Sequence, residues 1–105
     1  MEQLNGADRF SLAGDTVVWA SDTVLASPLG GEVVLLEPEE GIYYSLNEVG
    51  ARIWDIIRDP VAVDSICRRI SEEYDVDLER CHADVLELLT ELLDHGLAET
   101  HPPSA

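Results

Sequence analysis

Residues 32 to 57, EVVLLEPEEGIYYSLNEVGARIWDII, decide the fold, because a strand pair runs directly into an amphipathic helix. Val33, Val34, Leu35 and Leu36 are a β-branched and aliphatic run. Pro38, Glu39, Glu40 and Gly41 supply turn chemistry, and Ile42, Tyr43, Tyr44, Ser45 and Leu46 make a second strand. The pair reads as a hairpin. Asn47 is a preferred N-cap residue, and Val49, Ile53, Ile56 and Ile57 follow at i, i+4, i+7 and i+8, an apolar stripe that Trp54 widens. No catalytic residue is left over, which points to a binding module.

Upstream, residues 1–14 carry Gly6, Gly14 and scattered polar groups without periodicity, so they read as a flexible arm. Thr16 to Ala20 and Thr23 to Ala26 make one long bent strand or two short ones around Ser21 and Asp22, and Pro28 to Gly31 turn the chain into the hairpin. Downstream, Asp59 and Pro60 stop the first helix. Val63, Ile66, Cys67, Ile70 and Tyr74 then set a second amphipathic helix. Asp77 opens a third, whose core stripe is Val85, Leu88, Leu89 and Leu92 and which Gly96 ends. Leu86 and Leu93 make that helix apolar over more than one face, enough for a partner, a second copy or the arm to cover. The order of elements predicts an α+β, winged helix-turn-helix-like domain over residues 15–99: an N-terminal three-stranded antiparallel sheet followed by three α-helices, with residues 100–105 as a disordered tail.

Composition narrows the function. A chain of 105 residues with 46% hydrophobic content supports one modest core and no deep enclosed active site. A formal net charge of −16 repels nucleic acid, and the third helix opposes Glu79, Asp84, Glu87, Glu91 and Asp94 to Arg80 alone, so it cannot read a groove. The N-terminus has no signal-peptide pattern and no apolar run reaches membrane-spanning length, so the expected site is the cytoplasm, away from membranes. Cys67 and Cys81 have neither CxxC spacing nor a matching histidine pair, and read as buried reduced thiols. Asp75, Asp77 and Glu79 alternate, but a calcium loop needs twelve residues with a central glycine, so no metal is expected. His82, His95 and His101 are scattered, and there is neither a phosphate loop nor a nucleophile elbow. No cofactor and no enzymatic activity are expected.

Gly31, Glu32, Val33, Leu35 and Leu36, then Tyr44, Leu46, Asn47, Ala51, Ile53 and Trp54, then Asp84, Val85, Leu89, Leu92, Gly96 and Leu97 form three motifs in order. Over about residues 15 to 99 the chain resembles the PqqD-like family of peptide-recognition domains, also called RiPP recognition elements. These bind leader peptides of ribosomally made, later modified peptides. The resemblance implies that the sheet edge at Ile42, Tyr43, Tyr44, Ser45 and Leu46 accepts an extended leader as an added strand, with Tyr44 and Leu46 packing inward and the third helix as the other wall. Tyr43 and Tyr44 read equally as core or contact residues. On the helix, Leu86, Thr90 and Leu93 at i, i+4 and i+7 are the expected wall, with Glu87 or Asp94 facing a polar or cationic leader residue. Ala62 stands where the family often carries a capping Ser or Thr, so the second helix should start less firmly by about 1 kcal/mol. The resemblance further implies a processing enzyme as partner. In stand-alone lasso-peptide members that is a cysteine peptidase; the alternative is a radical SAM enzyme, as in pyrroloquinoline quinone synthesis. A different class of reading is a homodimeric structural or regulatory protein, so the expected state is a monomer or weak dimer.

Overall fold

A computed structural model describes residues 12–100, so arm residues 1–11, tail residues 101–105 and His101 lie outside the described residues. The domain is α+β, with three helices and a three-stranded antiparallel sheet, and it carries a second small sheet as well. The first sheet is the meander β2 (Leu25–Leu29), β3 (Glu32–Glu37) and β4 (Ile42–Leu46). Gly30 and Gly31 join β2 to β3 at φ +61° and +90°, backbone angles that only a residue without Cβ takes freely, which permits a two-residue turn between Leu29 and Glu32. The β3–β4 turn is tied by the buried Glu37. Its carboxylate accepts from the backbone N–H of Glu39 (3.3 Å) and Glu40 (2.8 Å), and its carbonyl accepts from Gly41 N–H at 2.9 Å.

The expected first strand exists as two short strands in different sheets. Val17–Ala20 (β1) does not join the meander but is the centre of the second sheet, antiparallel to β5 (Val61–Ala62) on one side and β6 (Ala98–Thr100) on the other. Two and three residues are too short to show alternation, so the sequence reading missed β5 and β6. Thr100, expected in the tail, pairs with Val18, and its hydroxyl donates to the Val17 carbonyl at 2.8 Å.

The helices are α1 (Glu48–Ile56), α2 (Val63–Tyr74) and α3 (Leu78–Asp94). Asn47 caps α1 by accepting from Gly50 N–H at 2.9 Å, and Asp77 caps α3 by accepting from Arg80 N–H at 3.1 Å. Ala62 gives α2 no side-chain cap, but the chain supplies another. The carbonyls of Thr16 and Gly14 accept from the N–H groups of Val63 (3.0 Å) and Asp64 (2.8 Å), so the segment before β1 serves two orphan donors of the first turn. Asp75 closes α2 in the left-handed conformation at φ 52°, and Gly96 at φ +73° follows α3.

The core lies where both sheets and the helices meet, at Val18, Leu35, Ile57, Ile66, Val85, Leu89, Leu92 and Leu97, all essentially without exposure. Cys67 and Cys81 are free and buried between α2 and α3, with the Cys81 thiol 3.5 Å from the Cys67 carbonyl. Burial, with Cys81 and Asp64 nearby, pushes the Cys67 thiol up to about 11, so it stays protonated and unreactive near neutrality.

Candidate functional site: an open strand edge beside a cleft

β3 and β4 alternate as the pleat requires. Val33, Leu35, Glu37 and Leu46 turn inward and are buried, with Tyr44 and Ile42 partly so, while Tyr43 and Ser45 point outward and are exposed. Tyr44 and Leu46 therefore pack on the inner side. The meander has two edge strands, and they differ. β2 contains Pro28, which has no N–H to offer a further strand. β4, IYYSL, has neither proline nor charge, and among the described residues nothing pairs with its outer side. Its free N–H and C=O groups are a template for one more strand.

Beside that edge runs a cleft of about 490 Å³. β4 contributes Tyr44, Ser45 and Leu46. The start of α1 contributes Asn47, Val49, Gly50 and Ile53, and the end of α2 contributes Ile70 and Tyr74, with Val76 just beyond it. The facing wall is α3, through Arg80, Cys81, Asp84, Val85, Glu87, Leu88 and Glu91. The floor is apolar and the α3 rim is mostly carboxylate, with Arg80 at one end. A groove of this form takes apolar side chains from an extended segment and favours cationic ones along its helical border. At one end the Tyr44 hydroxyl donates to the Glu91 carboxylate, and the Tyr44 ring lies 5.9 Å from that of His95.

Of the expected site residues, Tyr44, Ser45, Leu46 and Glu87 line this cleft. Ile42 and Tyr43 lie on β4 beyond it. Leu86, Thr90, Leu93 and Asp94 are not among its lining residues. The reason is helical geometry. Residues 84, 88 and 91 flank the core stripe on one side and residues 86, 90 and 93 on the other, two positions apart and so rotated by about 200° at 100° per residue. Sequence periodicity locates the stripe but does not say which flank meets β4. Thr90 is buried, and Leu86 and Leu93 are partly buried and pack against the core, so within the chain they take up the apolar width that suggested a dimer. The signal available in sequence was the mixed flank: Asp84, Leu88 and Glu91 interleave charge with one apolar residue, as a wetted groove wall does.

Among the described residues the Thr90 hydroxyl has no hydrogen-bond partner, although its atom is buried. Thr90→Val replaces it with a methyl group of the same shape, which should raise stability by about 1 kcal/mol in urea unfolding. Peptide affinity should stay unchanged, since this flank lies outside the cleft.

Tyr44 is the titratable group most affected by the site. Burial first, then the hydrogen bond to Glu91 and the charges of Glu91 and Glu87, push its hydroxyl up to about 12. An unfolded tyrosine ionises near 10, so the folded state holds this proton more tightly. The resulting stability is fully present below about pH 10 and is lost as pH rises from there through about 12. Tyr44→Phe should flatten the alkaline limb of a thermal-stability profile, and the tyrosinate absorbance titration should lose one component near pH 12.

Elsewhere, Arg52 on α1 donates to Glu73 of α2 through Nε and Nη2 at 2.8 and 2.9 Å and meets Asp55 at 3.1 Å, exposed contacts that tie two helices. Among the described residues no cluster of His, Cys, Asp and Glu could hold a metal ion, and no helix is long and apolar enough to cross a membrane.

A search of the curated proteins gives no match. Among solved structures, the chain is similar to "TbiB1 in Complex with the TbiA(beta) Leader Peptide", at 33% identity and TM-score 0.71, covering 77% of this chain and 94% of that one. It has the fold of "Lasso peptide synthetase B1 complexed with the leader peptide", at 23% identity and TM-score 0.69, covering 78% and 96%. It also has the fold of the PqqD truncation of Methylobacterium extorquens PqqCD, described as a functional and stand-alone RiPP recognition element, at 21% identity and TM-score 0.72, covering 88% and 98%. Residues 32–98, from the start of β3 to the start of β6, match the family described as "Coenzyme PQQ synthesis protein D (PqqD)", and the chain belongs to that family.

Proposed function

We propose that this protein binds the leader segment of a ribosomally synthesised precursor peptide as an extra antiparallel strand on β4, and presents it to a processing enzyme. The observation that carries this reading is the open β4 edge beside a cleft whose far wall is α3. Main-chain pairing along Ile42–Leu46 gives affinity with little regard for sequence, and every second leader side chain enters the cleft, which supplies the choice. The 33%-identical TbiB1 was solved in complex with a leader peptide, which supports the same use here.

The role is non-catalytic and cytoplasmic, and the helices with the β2–β4 meander form a winged-helix-like scaffold. The resemblance to stand-alone lasso-peptide members favours the leader peptidase of lasso-peptide biosynthesis as the enzyme served, and a protein of the same fold is described as lasso peptide synthetase B1 in complex with its leader peptide. Family membership keeps a second reading in view, a peptide chaperone for a radical SAM enzyme.

The test is fluorescence-polarisation binding of labelled TbiA(beta) leader, and of the leader from any adjacent precursor gene, each with its scrambled control, across a salt series. The expected result is sequence-dependent binding by at least one leader that persists in salt, because backbone pairing and apolar contacts are weakly screened. Equal binding of scrambled and native leaders would defeat the reading.

A further inference from the structure

The cleft carries charge at both ends, and the signs differ. Four ionisable side chains of α3 line it, Arg80, Asp84, Glu87 and Glu91, and Arg80 is the one cation among the lining residues. Among the described residues the guanidinium of Arg80 and the carboxylate of Glu87 make no hydrogen bond or ion pair, whereas Arg52, outside the cleft, is taken up by Glu73 and Asp55. Glu91 accepts only from the neutral Tyr44 hydroxyl. Charges left without partners beside an apolar floor count for more than charges on open surface.

Chain direction puts the two signs in order. The Tyr44 hydroxyl meets Glu91 and its ring meets His95, so the middle of β4 lies beside the last turns of α3. From there β4 runs through Leu46 into α1, whose Arg52 is tied to Glu73 at the end of α2. Tyr74 and Val76 follow, and they line the cleft together with Arg80 at the opening of α3. β4 and α3 therefore run in opposite senses along the cleft, with Leu46 toward Arg80 and Tyr44 toward Glu91. A strand added antiparallel to β4 enters beside Leu46 and leaves beside Ile42, so its N-terminal half passes Arg80 and its C-terminal half passes Glu87 and Glu91. From Arg80 to a point between Glu87 and Glu91 is about 13 Å along the axis, at about 1.5 Å per helical residue. An extended chain covers that in about four residues, an even step that turns both side chains into the cleft. The macrodipole of α3 has the same sense, positive beside Arg80 and negative beside Glu91.

We propose that the cleft reads the order of charge in the leader: an acidic side chain toward the leader's N-terminus, met by Arg80, and a lysine or arginine about four residues later, met by Glu87 and Glu91. This rests on the leader-binding reading above and deepens it to the kind of leader accepted. The test is a charge scan. In the labelled TbiA(beta) leader, and in the leader from any adjacent precursor gene, each residue is changed in turn to Glu and to Lys, and binding to the full chain is read by fluorescence polarisation at low and high salt. At low salt one N-terminal position should bind Glu about fivefold better than Lys, and a position about four residues later should show the opposite preference. Both preferences should shrink in high salt. Arg80→Glu should invert the first alone, and Glu87→Lys combined with Glu91→Lys the second alone. Arg80→Gln, and Glu87→Gln combined with Glu91→Gln, should flatten one preference each, which keeps the proposal open to refutation if a reversal variant fails to fold. A leader that binds with a flat scan overturns the proposal. So does the reverse order of preferences, or a wild-type pattern in folded Arg80→Glu. Failure of every unmodified leader to bind overturns the leader-binding reading itself, a separate result because it appears before any residue is changed.

Discussion

Leu88→Asp should weaken leader binding by about a hundredfold while leaving the circular-dichroism spectrum native. Leu88 is the apolar residue on the α3 flank that lines the cleft, set between Asp84 and Glu91 and facing the wall that begins at Val49 and Ile53. A carboxylate there would have to shed its water against the incoming apolar side chain, and it would add to the charge of Glu87 and Glu91. A hundredfold loss is about 2.7 kcal/mol, the size of effect that a central contact carries in a small interface. Leu88 is only partly buried, so its replacement costs the fold less than a core change. Leu93→Asp on the opposite flank is the control: it should lower stability through lost core packing and leave the affinity of the folded fraction near wild type. Titrations of both variants with a labelled leader settle the matter. A wild-type affinity in folded Leu88→Asp would move the binding site away from this cleft.

The largest stability effect is expected from Leu89→Ala. Leu89 is fully buried in the middle of α3 and belongs to the cluster that joins α2, α3 and both sheets. Truncating it removes transfer free energy and leaves a cavity, together about 2–5 kcal/mol. A domain of this size has only about 5–15 kcal/mol in total, so urea unfolding should show a midpoint far below wild type with an unchanged slope. Because α3 is also the outer wall of the cleft, saturating leader should recover part of the loss by mass action. A midpoint close to wild type would mean that the helix repacks around the gap.

How much of this was legible in the sequence depends on the length of the signal. The β3–β4 hairpin and all three helices could be read because their apolar periods persist and their ends carry Gly41, Asn47, Asp77 and Gly96, residues whose backbone or capping roles are local. β5 and β6 were not, since two and three residues hold no period and owe their existence to β1, far away in sequence. The same limit applied to the site. Alternation alone placed Tyr44 and Leu46 on one face of β4, but which flank of α3 meets that strand is a property of tertiary packing. Leu86, Thr90 and Leu93 were chosen for their spacing, and Asp84, Leu88 and Glu91 share that spacing closely enough that only the folded arrangement tells them apart. The cap of α2 shows a further kind of hidden information: Ala62 announces a weak start, and the compensation comes from the carbonyls of Gly14 and Thr16, which no side-chain reading would reveal.

Pro28 on one border of the meander and an unobstructed β4 on the other make the sheet extensible in a single direction. A peptide that takes the free position is itself flanked by α3, which has no strand to offer, so growth stops after one addition and the complex is held to one peptide per chain. Until then, each unoccupied molecule carries a growth point for β-pairing with whatever extended chain it meets. Co-production with its peptide should therefore raise the recovered yield and slow precipitation of the concentrated protein, an effect visible in light scattering before any affinity is known.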